Sequence, residues 1–206
     1  MKKLIFGIGI MVIMVAMAQS AQAMNIISYN FGGGPGTNSA SKAFTTSGVT
    51  TTATATWDGF SNAGLVNHGT SGLGVWNTGG SDSNNIDGDG RNDYLHMTFG
   101  SMTTLRGLYL SHDDSNDFYD LYVDGTKVIN NASAHGDWDD FATGLYQGFT
   151  FTIRADGSSD DYTLYGMRIE NPVPEPTTVL LMSIGIAGLI GGAARRKLKQ
   201  KAVVKS

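Results

Sequence analysis

Cysteine is absent from the 206-residue chain, which excludes a disulfide framework, an iron–sulfur cluster and a thiolate zinc site. Positive charge is also scarce over residues 24–171. Six bases face 17 acids there, a net charge of −11, so a surface that tracks phosphates, and with it nucleic-acid binding, is excluded. Helical periodicity is missing outside the two ends of the chain, and no repeat of fixed length recurs, which disfavours a solenoid or propeller. The four histidines, His68, His96, His112 and His135, show neither HExxH nor His-x-His spacing for zinc. No G-x-S-x-G nucleophile elbow occurs either, since Gly69-Thr70-Ser71-Gly72 has the wrong spacing. Many aspartates are present, but no spacing selects the pair of unequal carboxylates that glycoside hydrolysis needs. The expectation is a protein without catalytic activity.

Both ends carry targeting features. Lys2 and Lys3 precede an apolar run from Leu4 to Ala18, and Ala21-Gln22-Ala23 follows. A positive start, an apolar centre and a small-x-small site make a secretory signal peptide over 1–23, cleaved by signal peptidase after Ala23. At the other end, Asn171-Pro172-Val173-Pro174-Glu175-Pro176 is stiff, because its prolines can neither continue a helix nor pair fully in a sheet. Eighteen uncharged residues, Thr177 to Ala194, come next, and Arg195, Arg196 and Lys197 close the run. That length is near the lower limit for a transmembrane helix, and the basic flank places it with the folded part outside the cytoplasm.

The order Val173-Pro174-Glu175-Pro176, short Gly-rich apolar helix, Arg195-Arg196 resembles the PEP-CTERM sorting signal over residues 172–197. Residues 198–206 would then be a basic cytoplasmic tail, slightly longer than is usual. The resemblance implies recognition and tail removal by an exosortase, a membrane transpeptidase-like cysteine enzyme. It also implies a Gram-negative envelope or extracellular matrix, transient or lasting attachment to the inner membrane, and association with extracellular polysaccharide, often in biofilms. An LPxTG signal is absent, and a glycolipid-anchor signal would not end in basic residues.

Residues 24–171 alternate with a period of two. Leu95, Met97 and Phe99 share one face, as do Tyr119, Leu121 and Val123, then Phe149, Phe151 and Ile153, and finally Tyr165, Met167 and Ile169. Thr45 to Trp57 reads as one Thr-rich strand with a solvated face. Asp124-Gly125 predicts a tight hairpin, and Gly-rich clusters separate the other runs. Eight to ten short strands predict an all-β fold, a single antiparallel β-sandwich of jelly-roll type.

Asn85-Ile86-Asp87-Gly88-Asp89-Gly90-Arg91-Asn92-Asp93 fits the pattern [DN]-x-D-x-D-G-x-x-D. Calcium takes six to eight hard oxygens from a loop that turns sharply at a glycine. Side chains of Asn85, Asp87, Asp89 and Asp93 and the Arg91 carbonyl would supply them, giving a structural calcium ion between strands. An acidic turn would carry the same sequence. His112-Asp113-Asp114-Ser115-Asn116-Asp117 with Asp120 could complete such a shell, whereas Asp137, Asp139, Asp140, Asp160 and Asp161 read as solvated loops. Trp138, set between acids, is the most exposed-looking aromatic and the preferred sugar contact, with Trp76 as the other choice. Two alternatives to a non-catalytic surface or matrix protein stay open: a carbohydrate-binding module with a defined sugar site, and a secreted polysaccharide hydrolase.

Overall fold

The computed structural model describes residues 24–57, 62–76, 84–88, 92–112, 116–155 and 157–172. The signal peptide and the sorting residues Val173 onward lie outside them. All regular structure among the described residues is β, in thirteen strands: β1 (Met24–Asn30), β2 (Thr37–Ser39), β3 (Ser41–Thr46), β4 (Val49–Trp57), β5 (Asn62–Gly69), β6 (Gly72–Trp76), β7 (Ile86–Asp87), β8 (Asp93–His112), β9 (Phe118–Val123), β10 (Thr126–Ser133), β11 (Trp138–Asp140), β12 (Tyr146–Ala155) and β13 (Asp161–Pro172). Asn25–Asn171 forms one compact unit.

The strands run in the order β1-β13-β6-β5-β4-β8-β12-β9-β10, with β2, β3, β7 and β11 paired alongside. The 20-residue strand β8 organises this path. Its first half pairs with β4 through Asp93–Phe99, and its second half pairs with β13 through Thr104–His112. On its other side β12 gives way to β11. The change from β4 to β13 falls around Gly100, Ser101 and Met102, which are exposed, and the change from β12 to β11 falls at Arg106. A strand that bends there can serve two sets of partners and still keep its backbone hydrogen bonds satisfied.

Period-two alternation delivers one apolar face to a single core. Ala53 and Ala55 of β4, Leu95 and Met97 of β8, Leu121 of β9, Phe151 and Ile153 of β12, and Leu164, Met167 and Ile169 of β13 are all buried in it. Full burial of one such large side chain is worth about 1.5–3 kcal/mol, so a core of this size needs no disulfide. Tyr29 sends its hydroxyl from β1 to the Val49 carbonyl at 2.9 Å, and burial pushes that phenol up to about 12.

The faces expected for β8 and β9 are found: Leu95, Met97 and Phe99 are buried, as are Tyr119, Leu121 and Val123. Asp124 and Gly125 turn between β9 and β10 with φ of 48° and 82°, as a tight hairpin requires. Three expectations need correction. Thr45–Trp57 is a hairpin and not one strand, because Ser47 and Gly48 adopt φ of 51° and 77° and fold β3 onto β4. Phe149 is 49% exposed, because a register shift between Gly148 and Thr150 takes it off the face of Phe151 and Ile153. A second shift, between Leu164 and Gly166, puts Leu164 in the core with Met167 and Ile169 and leaves Tyr165 half-buried.

Candidate functional site

Three acidic segments, far apart in the chain, come together. Strand β7 pairs with the start of β13, Asp87 opposite Asp161 and Ile86 opposite Tyr162. The Asn85 amide donates to the Asp161 carboxylate. Asp117 accepts the Asp161 N–H at 3.0 Å, and Asp160 accepts the Phe118 N–H at 3.0 Å as well as that of Gly157. The Gly88 N–H reaches the Asp160 carbonyl at 3.2 Å. Within the first segment, Asp93 accepts the Asp87 N–H at 3.4 Å.

Asp87, Asp93, Asp117 and Asp160 are all buried, so Asp160 is not the solvated loop acid expected of it. Its carboxylate ties together backbone groups that would otherwise be unsatisfied. The Tyr162 phenol lies wholly inside this region. Burial first, and then the neighbouring carboxylates of Asp160, Asp120 and Asp117, hold its pKa well above the ordinary tyrosine value.

Of the five residues expected to hold calcium, Asn85, Asp87 and Asp93 are placed at this acidic end. Asp89 and Arg91 lie outside the described residues. Among the described residues, no group of three acids or histidines converges closely enough to hold a metal ion.

Trp138 sits on β11 opposite Tyr109. It is half-buried. The Arg168 guanidinium lies 3.8 Å from its ring centroid and is held there by Asp140 at 2.9 Å. Tyr109 packs against the same indole at 5.7 Å. With one face under a cation, this ring offers a sugar less surface than its acidic neighbours in the sequence suggest.

A second constellation, which the sequence reading missed, occupies the side of β4, β8, β12, β9 and β10 that faces away from the core. The registers align Thr54, His96, Thr152, Tyr122 and Lys127 in one row across the five strands. Thr56, Tyr94, Arg154 and Asp120 form the next row. His96 is held between two hydroxyls, Thr56 Oγ1 and Thr152 Oγ1, each at 2.8 Å. Asp120, completely buried, receives Arg154 at 3.0 Å, Lys127 at 2.5 Å and the Asn131 N–H at 3.1 Å. Arg154 also reaches the Tyr122 hydroxyl at 3.3 Å and lies 5.8 Å from the Tyr94 ring centroid. Polar alternation along each strand was readable. The lateral register that joins the strands into a face was not.

Burial lowers the His96 pKa below its ordinary 6.5. The unfolded chain therefore takes up the proton first as pH falls through 6.5, and acidification favours unfolding until the lower folded-state value is passed. Urea unfolding between pH 7.5 and 5 should show stability falling with pH. His96→Gln should flatten that slope, and an equal slope in both proteins would count against a buried neutral imidazole.

The described residues define an all-β domain. Residues 172–197 match the PEP-CTERM protein-sorting motif, beginning at Pro172, where β13 ends. The chain thus carries the sorting signal of an exosortase substrate, which marks an exported, envelope-sorted protein. No curated protein and no solved structure matches the chain.

Proposed function

We propose that this is a non-catalytic protein of the Gram-negative cell surface or extracellular matrix, whose β domain associates with extracellular polysaccharide. The sorting motif at 172–197 carries this reading. Signal peptidase would cleave after Ala23. The chain would then hang from the inner membrane by the apolar helix until exosortase acts at Val173-Pro174-Glu175-Pro176, with Arg195 and Arg196 holding the cytoplasmic side. The two successive sets of neighbours along β8 support a jelly-roll-like sandwich, in which a strand turns a corner between layers.

In this reading calcium bound by Asn85, Asp87, Asp89, Asp93 and the Arg91 carbonyl would fasten the acidic end. The meeting of that loop with Asp117 and Asp161 supports it, since a cation there would offset the mutual repulsion of several carboxylates. Calcium at about 100 times its Kd should stabilise the purified chain by about 2.7 kcal/mol over the EDTA-treated protein. Thermal melts should rise by roughly 5–10 °C, and Asp87→Ala should abolish the rise. An unchanged midpoint removes the metal from the reading and leaves the sorting untouched.

Matrix association is tested by fractionating cells that make the protein, with and without a functional exosortase. The reading predicts recovery with the extracellular polysaccharide only when the exosortase works. Recovery in the soluble cytoplasm in both strains would overturn it.

A further inference from the structure

We propose that the outward face of β4, β8, β12, β9 and β10 is a glycan-binding surface for a neutral, hydroxyl-rich polysaccharide strand. This gives the matrix association proposed above a site and a ligand chemistry, and it rests on that reading.

The face presents hydroxyls in register. Thr52, Thr98 and Thr150 form a third row beside the two described above, with Thr98 and Thr150 joined at 3.3 Å. Neighbouring strands lie about 4.8 Å apart, close to the length of one pyranose unit, so a chain laid across β4, β8 and β12 meets Thr52, Thr98 and Thr150 at successive sugars. Threonine hydroxyls both donate and accept, which matches sugar hydroxyls that do the same. Arg154, held over the buried Asp120 carboxylate and itself 17% exposed, adds a fixed donor beside these hydroxyls.

Charge selects the ligand class. Residues 24–171 carry a net charge of −11, so the domain as a whole repels a polyanion. A polycation would be drawn to the acidic end formed by Asp87, Asp93, Asp117, Asp160 and Asp161. On the hydroxyl-bearing face the charges nearly cancel, with Asp120 answered by Arg154 and Lys127. His96 is held uncharged by burial, in line with that balance. An uncharged ligand rich in hydroxyls suits this surface best.

Ring stacking contributes little. Lys127 stands 5.6 Å from the Tyr122 ring centroid, and Arg154 lies over Tyr94, so hydrogen bonds do the recognition. Each is weak in water, and affinity comes from many contacts along one polymer.

The test is co-sedimentation of the detergent-purified full chain with insoluble neutral β-glucan particles and with alginate beads, both in excess EDTA so that no cation bridges. Thr98 is exposed between Thr52 and Thr150 in the threonine row. Thr98→Arg and, separately, Thr150→Arg should lower the fraction bound to β-glucan at least tenfold while leaving the melting temperature unchanged. Thr98→Ser should bind like the wild type. Equal binding by the arginine variants, loss on Trp138→Phe instead, or preference for alginate would each overturn the proposal. Wild-type chain that pellets with neither polymer yet still co-purifies with the matrix from cells overturns the face alone. Absence from the matrix as well overturns the wider reading with it.

Discussion

Gly88→Ala should destabilise the β domain by about 3 kcal/mol or more. A Cβ on Gly88 would stand 1.9 Å from the Gly157 carbonyl oxygen, and both groups are backbone, so no side-chain rotation relieves the clash. Overpacking of a rigid site commonly costs 1–3 kcal/mol, and a backbone contact belongs at the upper end. For a domain of this size the melting temperature should fall by roughly 6–12 °C. The displacement would also part the loop from Asp160, whose carbonyl the Gly88 N–H reaches. Gly74→Ala should act likewise, since its Cβ would meet the Asn84 carbonyl at 2.0 Å. A Gly88→Ala protein that melts within about 1 °C of the wild type would mean that β7 and the Gly157 turn are not in contact in solution.

Asp120→Ala should cost about 3–5 kcal/mol, the usual result of removing one member of a buried ion pair. The carboxylate is fully buried and gathers Arg154, Lys127 and the Asn131 N–H. Its loss leaves the Arg154 guanidinium, only 17% exposed, deprived of its carboxylate partner. Lys127 is more exposed and contributes less. The double variant Asp120→Ala, Arg154→Met should recover part of the loss, because the largely buried guanidinium is then removed with its carboxylate and only the more exposed Lys127 is left to solvent. Chemical denaturation of the wild type, Asp120→Ala, Arg154→Met and the double variant measures both effects. A single-variant cost below about 1 kcal/mol, or no recovery in the double variant, would contradict a tightly coupled pair.

The contrast between Asp120 and Asp124 marks how far the sequence could be read. Asp124-Gly125 forms a turn through its own two residues, and local chemistry sufficed to place it. Asp120 alternates with Tyr119 and Leu121 and so reads as solvent-facing. Yet it is buried, because Arg154 from β12 and Lys127 from β10 close over it. The same holds for Asp160 and Asp117. Their partners Phe118 and Asp161 lie 42 and 44 residues away in sequence, and nothing local announces such pairings. Leu95, Met97 and Phe99 follow from the period alone, since no bulge interrupts them. The same period puts Phe149 and Tyr165 on core faces, and the structure moves them off, because one register shift exchanges the two faces of a strand. The sorting motif was legible because it is linear, an ordered run of residue types that needs no fold. The hydroxyl-bearing face was illegible for the opposite reason, since it exists only when five strands align.

The central claim is that the chain is exported and then cut at the sorting motif, and intact-mass measurement of the protein recovered from its own cells tests it most directly. The account predicts a mature chain that begins at Met24 and ends within Val173–Pro176, and a longer chain that retains the tail when the exosortase is deleted. A mass equal to the full 21.8 kDa chain, unchanged by that deletion, would contradict it.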